Sequence, residues 1–222
     1  MAVPAAAWAG RVLWKIDATH DGMPRVIKRI HKCPGRLLII IIVTYMYYQC
    51  QYCSVLKIDA CSLIYLAKSD LLQVARQLYQ DLRITRAVYE EVVVEGKKRN
   101  RPDAYVLDAN VLNRVLSVVT YDGSFPPEMS GMGKGESETV QESKSEKCPA
   151  LLDDIRSRSY AAKTGLEYTS VDLLLIEALA RRRISTEEYG EYARRLGKAC
   201  SMRAERFAEL LRIGMIIGGA GK

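Results

Sequence analysis

The stretch VLKIDACSLIYLA, residues 55–67, decides the fold that the sequence predicts. Val55, Leu56 and Ile58 form a short apolar run typical of a buried parallel strand. The residues after Asp59 carry leucines and isoleucines at helical spacing. Ligands of open α/β sheets bind beyond the carboxyl ends of the strands, so Asp59 is placed at a candidate site. The alternative is that Asp59 only caps the following helix.

Composition and charge are those of an ordinary globular protein with an uneven distribution of cations. The chain has 222 residues, of which 49% are hydrophobic and 27% charged, and this suits one domain with a real core. Residues 1–58 contain eight Lys or Arg and two Asp, which is +6 of the net charge of +7. The remainder is nearly neutral, so overall basicity supports nucleic-acid binding only weakly. Six scattered cysteines indicate a reducing, cytoplasmic setting.

Residues 1–54 are predicted to be a poorly structured or artefactual extension. Residues 1–36 show no sustained period, and residues 37–56 form an apolar run that follows basic residues. The strongly apolar part covers about 12 residues, fewer than the roughly 20 that a spanning helix needs. We favour an extension that arises from a start codon assigned too early. A membrane anchor and an added edge strand are the alternatives. A chain beginning near Val55 is expected to be soluble, folded and active, with a domain over 55–213 and a flexible tail over 214–222.

The same N-terminal segment holds the only pattern of zinc-ligand residue types. Cys50 and Cys53 form a CxxC, which His31 and Cys33 would complete as a site of nitrogen and sulfur ligands. The spacing lacks a matching second pair, so a zinc site is not favoured. No histidine follows His31, which excludes Ser-His-Asp and Cys-His catalysis in the domain.

Carboxylates recur at strand ends and helix starts along the domain. Further strands are predicted at Leu82–Ile84, Val115–Val119, Ala150–Leu152 and Leu166–Thr169, with helices between them. The acids in these positions are Asp59, Glu90, Glu91, Glu136, Asp153 and Asp154. Taken singly, each is typical of a cap or a solvated surface. Taken together, they are expected to meet at one rim of a parallel sheet, where they would bind a hard divalent cation through oxygen and favour phosphodiester hydrolysis.

Two glycine-rich or basic segments flank these acids. GKKRNRPD, residues 96–103, is a basic loop whose usual role is a solvated connection, and its alternative role is to steer a phosphate backbone towards the acids. Gly133 and Gly135 precede a helix without the spacing of a phosphate-binding loop. An acidic side chain at the start of a helix repels anions, so this segment is not expected to bind phosphate. Glu136 is better interpreted as a metal ligand.

In order, IDACSLIYLA, AVYEEV, GKGESETV and LLDDIRSRSYAAKTGLEYTS resemble the acidic motifs of the PIN domain family over roughly residues 55–213. They look most similar to the archaeal and bacterial branch with a GxGE helix start and a DDxxxR segment, near the VapC-type toxins. The resemblance implies a Rossmann-like three-layer α/β/α fold with a central parallel sheet. It also implies a Mg²⁺- or Mn²⁺-dependent endoribonuclease, frequent homodimers and often a small antitoxin partner.

Carried over by position, the resemblance implies a set of metal-binding and catalytic acids. These are Asp59, Glu91, Glu136 and Asp154, with Asp153 as a further metal ligand. Glu91 is preferred to Glu90 because it directly precedes the inward Val92. The chain departs from many relatives at TSVD, where a glycine-threonine pair is common, and there Asp172 is expected to cap a helix rather than add an acid.

The leading interpretation is a metal-dependent, single-strand-selective ribonuclease, either a toxin or a processing enzyme. One alternative is a PIN-like module that binds RNA or a protein without cleaving. Another is a membrane-tethered regulator that uses residues 37–56. Retention of the four acids argues against the first alternative, and the basic residues and length of the apolar run support the second only weakly.

Overall fold

A sheet of five parallel strands organises the part of the protein that the structure describes. The computed structural model describes residues 54–219. The strands are β1 (Val55–Ile58), β2 (Asp81–Thr85), β3 (Leu116–Val119), β4 (Ala150–Leu151) and β5 (Tyr168–Thr169). They lie in the order β3-β2-β1-β4-β5. The predicted three-layer α/β/α fold is confirmed.

Helices connect the strands and cover both faces of the sheet. They are α1 (Ala60–Lys68), α2 (Leu72–Leu78), α3 (Arg86–Tyr89), a π-helical turn (Glu90–Val94), α4 (Glu95–Lys98), α5 (Pro102–Leu112), a 3₁₀ turn (Pro127–Met129), α6 (Lys134–Glu146), α7 (Ile155–Thr164), α8 (Val171–Ala180), α9 (Thr186–Ala199) and α10 (Ala204–Gly219). No helix in this part of the chain is long and apolar enough to cross a membrane.

Alternating strand residues divide the core between the two faces. Leu56 and Ile58 of β1 join the larger cluster, which contains residues of α1, α2 and α8–α10. Ala150 and Leu152 join a smaller cluster with α6 and α7, because successive side chains of a strand point to opposite faces. The central strands β1 and β4 are largely buried on both faces, as expected for a parallel sheet, whereas the edge strands β3 and β5 are only partly buried.

Lys57 is a charged residue at the centre of this sheet. Its side chain is fully buried on the α6 face, and its Nζ lies 3.0 Å from Glu142 Oε2 and 2.9 Å from Glu146 Oε1. Arg83 of β2 reaches the other oxygen of Glu146 at 2.9 Å. A buried cation is tolerated when it is paired, so these contacts explain how a lysine fits within an otherwise apolar strand.

The order of the strands creates a switch point between β1 and β4. The chain builds β1, β2 and β3 in one direction and then returns to add β4 and β5 on the other side of β1. Ile58 pairs with Leu151, and the Asp59 N–H donates to the Leu151 carbonyl at 3.2 Å. Ligand sites of open α/β sheets form at such switch points, beyond the carboxyl ends of the strands. Asp59 and Asp153 are thereby brought to one crevice.

Two local predictions differ from the structure. Part of the predicted basic loop is helical, because α4 extends to Lys98. Residues 214–219, predicted to be tail, continue α10, in which Gly214 packs against the Tyr189 ring.

The N-terminal predictions fall outside the described residues. They concern the extension over residues 1–53, the apolar run before Ser54 and the cysteine-histidine pattern. The same holds for the end of the tail, residues 220–222.

Candidate active site

Asp59 lies at the N-terminus of α1 and is completely buried. Its Oδ1 accepts a 2.7 Å hydrogen bond from the Ser62 N–H, so it caps the helix. Its Oδ2 is buried and accepts no hydrogen bond from the described residues. A buried polar atom without a partner is costly in a native fold and calls for an explanation such as a bound ion. The two roles considered for Asp59 are therefore compatible: its Oδ1 caps the helix, and its Oδ2 is available to a metal ion.

The surroundings of Asp59 disfavour its charged form. The pKa of Asp59 is raised to about 7, chiefly by burial and to a smaller extent by the charges of Asp153 and Glu136, while hydrogen bonding to Ser62 opposes the shift. Desolvation and like charges penalise a carboxylate unless a cation compensates for them. A perturbed carboxyl group in a crevice is a typical feature of a functional site.

Asp153 and Asp154 follow β4 but point to different surroundings. Burial raises the pKa of Asp153, and the charge of Asp172 adds to the effect, while the Val171 N–H donates to Asp153 Oδ2 at 3.3 Å. Asp154 is instead the N-cap of α7, where its Oδ1 accepts from the N–H groups of Arg156 at 2.7 Å and Ser157 at 3.1 Å. The carboxyl group that acts on Asp59 most strongly is that of Asp153.

Glu136 and Glu91 form the other side of the crevice. Glu136 Oε2 accepts from the Gly133 N–H at 3.0 Å at the start of α6. Glu91 belongs to the π-helical turn, and its Oε2 lies 3.3 Å from the position that a Cβ on Gly135 would occupy. Partial burial raises the pKa of Glu91, and the charge of Glu136 adds to it. Glu90 points elsewhere and pairs with Arg86 at 3.0 Å.

Asp172 lies in the first turn of α8, whose N-cap is Ser170, so the expectation that Asp172 is the cap residue is wrong. Its Oδ1 accepts from the Ser170 hydroxyl at 2.5 Å, and its Oδ2 lies 2.5 Å from Arg206 Nη2. Asp172 therefore adds a fifth carboxylate beside Asp153, and α10 supplies the cation that balances it.

The five acids form a connected electrostatic series. Glu91 is coupled to Glu136, Glu136 to Asp59, Asp59 to Asp153, and Asp153 to Asp172. They come from the π-helical turn, α6, the end of β1, the end of β4 and α8.

Residues 56–208 match a family model, DUF3368, whose description is PIN domain. The chain belongs to the PIN domain family.

No curated protein and no solved structure shows a significant match to the chain. Membership in the PIN domain family indicates a nuclease-type function that acts on nucleic acid. The family match begins at Leu56 in β1 and ends within α10, so it includes every acid of the series.

The fit of a divalent cation to this PIN domain depends on the arrangement of the oxygen donors. Within residues 54–219, no three His, Cys, Asp or Glu side chains converge into a preformed metal-binding group. In this part of the chain, the buried Asp59 Oδ2 nevertheless has no hydrogen-bond partner, and the charged groups that shift the pKa of Asp59 are the carboxylates of Asp153 and Glu136. Mg²⁺ usually keeps several waters and takes one or two carboxylates from the protein, so the donor set fits such an ion.

Sequence reasoning missed two residues that shape the PIN-domain site. Glu138 is buried, and its Oε2 accepts from the Ala87 N–H at 3.2 Å, which satisfies the first turn of α3. A second acid two residues after Glu136 in GKGESE is a weak signal for this role, because the surface face of a helix gives the same pattern. Arg206 gives no local signal at all, since its partner Asp172 is 34 residues away.

Proposed function

We propose that the protein is a divalent-cation-dependent endoribonuclease that cleaves single-stranded RNA. The observation that carries this proposal is the buried Asp59 carboxyl group, one oxygen of which has no hydrogen-bond partner within residues 54–219. Four further acids act on it directly or through a neighbouring acid. Such a group is stabilised when a hard cation occupies the crevice. Membership in a family of nucleases supports the same chemistry.

Asp59 and Asp153 would hold Mg²⁺ or Mn²⁺, with Glu136 and Glu91 as the neighbouring acids on the α6 side. When bound, the cation supplies Lewis-acid polarisation of a phosphoryl oxygen and lowers the pKa of a coordinated water. The Ser62 N–H keeps Asp59 in one orientation, and the Gly133 N–H does the same for Glu136. Asp154 then serves mainly as the cap of α7, so we transfer the role first expected of it to Asp153.

The resemblance to VapC-type proteins supports a more specific biological role as the cytoplasmic toxin of a toxin-antitoxin pair. In this role the protein would form a homodimer and bind a small antitoxin protein. Co-expression with the product of an adjacent small open reading frame tests it. The expected result is a complex that elutes as one species and in which RNA cleavage is suppressed.

The decisive variant is Asp59→Asn. It preserves the acceptor for the Ser62 N–H, because Asn is as good an N-cap as Asp, and removes the charge that a cation needs. Cleavage of single-stranded RNA in Mg²⁺ or Mn²⁺ is expected to fall by at least about a hundredfold. Full activity in this variant would rule out the proposed mechanism.

Glu90→Gln is the matched control. It also removes one carboxylate from the vicinity of the site, but Glu90 is exposed and pairs with Arg86 outside the acid series. Its cleavage rate is expected to stay within about twofold of the parent, because exposed ion pairs contribute little to stability. Equal losses in both variants would point to a general charge effect.

A further inference from the structure

The basic run after the π-helical turn contains two kinds of cations. Lys97 pairs with Asp108, and Lys98 Nζ lies 2.6 Å from Glu95 Oε1. Arg99 and Arg101 are exposed and have no ion pair within residues 54–219, and Arg99 contributes only the smallest part to the lowered pKa of Glu95. The lysines are therefore occupied by neighbouring carboxylates, and the arginines are available to a ligand.

Both arginines line a cavity that also contains an acid of the site. The cavity has a volume of about 90 Å³ and is bounded by Ile64, Glu91, Val92, Gly96, Arg99, Arg101 and Asp103. This is room for about three water molecules. The cavity therefore places two guanidinium groups beside the Glu91 end of the acid series.

A second, wider depression continues from the first. Arg101 and Asp103 line both, and the second adds Ala67, Lys68, Pro102 and Val106. Ile64 and Lys68 lie on successive turns of α1, whose N-cap is Asp59. The two depressions thus follow α1 away from Asp59, over a helix about 13 Å long. The second depression is lined by two cationic side chains, Lys68 and Arg101, and by one carboxylate, Asp103.

The backbone holds the two arginines in place. The N–H of Arg101 donates to the Gly96 carbonyl at 3.0 Å, and Arg99 N–H donates to the carbonyls of Glu95 and Gly96. Gly96 allows close packing here, because a Cβ on it would lie 2.7 Å from the Ala104 Cβ. The turn between α4 and α5 is therefore positioned by hydrogen bonds and by contact with the next helix.

We propose that Arg99 and Arg101 bind the phosphate backbone of single-stranded RNA and direct it along α1 from the acid series towards Lys68. This proposal rests on the proposed ribonuclease function and names the residues that hold its substrate. Guanidinium groups bind phosphate through paired N–H donors, and contacts with the backbone carry no sequence preference. The track accounts for the difference between arginines that have no ion pair within residues 54–219 and neighbouring lysines that have one.

The test measures binding of a fluorescently labelled single-stranded oligouridylate as a function of salt, with all proteins carrying Asp59→Asn to prevent cleavage. Arg99→Gln/Arg101→Gln is compared with Lys98→Gln/Lys144→Gln, which removes the same charge from an exposed, paired lysine and from an exposed lysine on α6. Each phosphate contact contributes about 0.7 to the slope of log K against log salt for single strands. The arginine variant is expected to lose about 1.4 from that slope and to bind about tenfold more weakly.

The lysine control is expected to keep the parent slope. An unchanged slope in the arginine variant, or an equal decrease in the control, would overturn the inference and leave this surface to another ligand, such as an acidic protein. In the background with Asp59 intact, the arginine variant is expected to raise KM with kcat nearly unchanged. Circular dichroism and thermal unfolding verify that both variants are folded.

Failure of the inference is distinguishable from failure of the proposed function. If the parent cleaves RNA and Asp59→Asn does not, the ribonuclease function holds, whatever the arginine variant does. If the parent neither binds nor cleaves single-stranded RNA, both proposals fall. If binding depends on the arginines but Asp59→Asn does not alter cleavage, the phosphate track holds and the catalytic assignment fails.

Discussion

At the scale of single residues, the two oxygens of Asp59 have separate roles. One completes the N-terminus of α1 through Ser62, and the other is buried without a partner among the described residues. A residue that served only as a cap would leave its second oxygen in water, where hydration compensates for its charge. Complete burial of the group is therefore the feature that distinguishes Asp59 from Asp154.

Asp153 and Asp154 allow that distinction to be tested. Asp153→Asn is expected to reduce RNA cleavage by at least about tenfold, because it removes the carboxylate coupled to Asp59. Asp154→Ala is expected to lower the free energy of unfolding by about 1 kcal/mol through loss of the α7 cap. Cleavage assays and urea denaturation of both variants measure the two effects.

Asp154→Ser provides the control, because serine retains a cap acceptor without the charge. We expect it to restore the stability lost in Asp154→Ala and to cleave at close to the parent rate. A severe loss of cleavage in Asp154→Ser would instead return Asp154 to the set of ligands.

At the scale of elements, the contact between α6 and the π-helical turn brings Glu91 to the crevice. Gly135 makes this approach possible, since a Cβ there would lie 3.0 Å from Val88 Cγ2 and 3.3 Å from Glu91 Oε2. The π-helical turn follows α3 directly and carries Glu91, and such turns are frequent at functional sites. The GKGE motif therefore acts through packing between two elements.

Gly135→Ala tests the role of this packing. The added methyl group must displace Val88 or Glu91, and overpacking of this kind typically costs about 1–3 kcal/mol. We expect a lower midpoint of urea denaturation together with a decrease in cleavage. The same measurements on Gly133→Ala serve as the control.

A Cβ on Gly133 meets only Glu136, at 3.7 Å or more, which is ordinary van der Waals contact. Its N–H remains available to Glu136. Alanine is a poorer N-cap than glycine, so a small loss of stability is expected without a loss of cleavage. Equal behaviour of the two variants would show that the close approach at Gly135 is not needed.

At the scale of the whole molecule, the acid series couples global stability to pH. The folded pKa of Asp59, about 7, lies above its ordinary value of 3.8. The contribution of the Asp59 carboxyl group to the free energy of unfolding is therefore fully present below pH 3.8, where both states bind the proton. As the pH rises towards 7, the unfolded state releases this proton while the folded state keeps it, and the contribution is lost. Burial raises the pKa values of Asp153 and Glu91 in the same direction.

Asp59→Asn is accordingly expected to be more stable than the parent in the absence of divalent cations. The difference in free energy of unfolding should grow between about pH 4 and pH 7, by up to about 1.4 kcal/mol per pH unit, and then level off. Urea denaturation in a metal chelator across this pH range measures it. Addition of Mg²⁺ or Mn²⁺ should stabilise the parent more than the variant, because ligands that bind only the folded state stabilise it.

Glu209→Gln is a control of opposite sign. Arg212 holds the pKa of Glu209 below its ordinary value, so this carboxylate stabilises the fold at neutral pH and loses that contribution in acid. The effect should be small because the pair is exposed. A difference for Asp59→Asn that does not vary with pH would show that its carboxyl group is not destabilised in the folded protein.

Much of the domain follows from local properties of the sequence. Short apolar runs alternate with amphipathic stretches, and this alternation predicts a parallel α/β/α sheet. The hydrophobic period of a strand or of a helix can be recognised within the residues of that one element. The strand before Asp59 and the cap at Asp154 also depend only on nearby residues. The four acidic motifs could be recognised for the same reason.

Tertiary structure alone decided how the acids are combined. The placement of β4 beside β1 brings Asp153 to Asp59, although they are far apart in the chain. Contact with α6 separates Glu91 from Glu90, and α10 brings Arg206 to Asp172. Burial, and with it the raised pKa of Asp59, arises only when elements from the whole domain exclude water from one crevice.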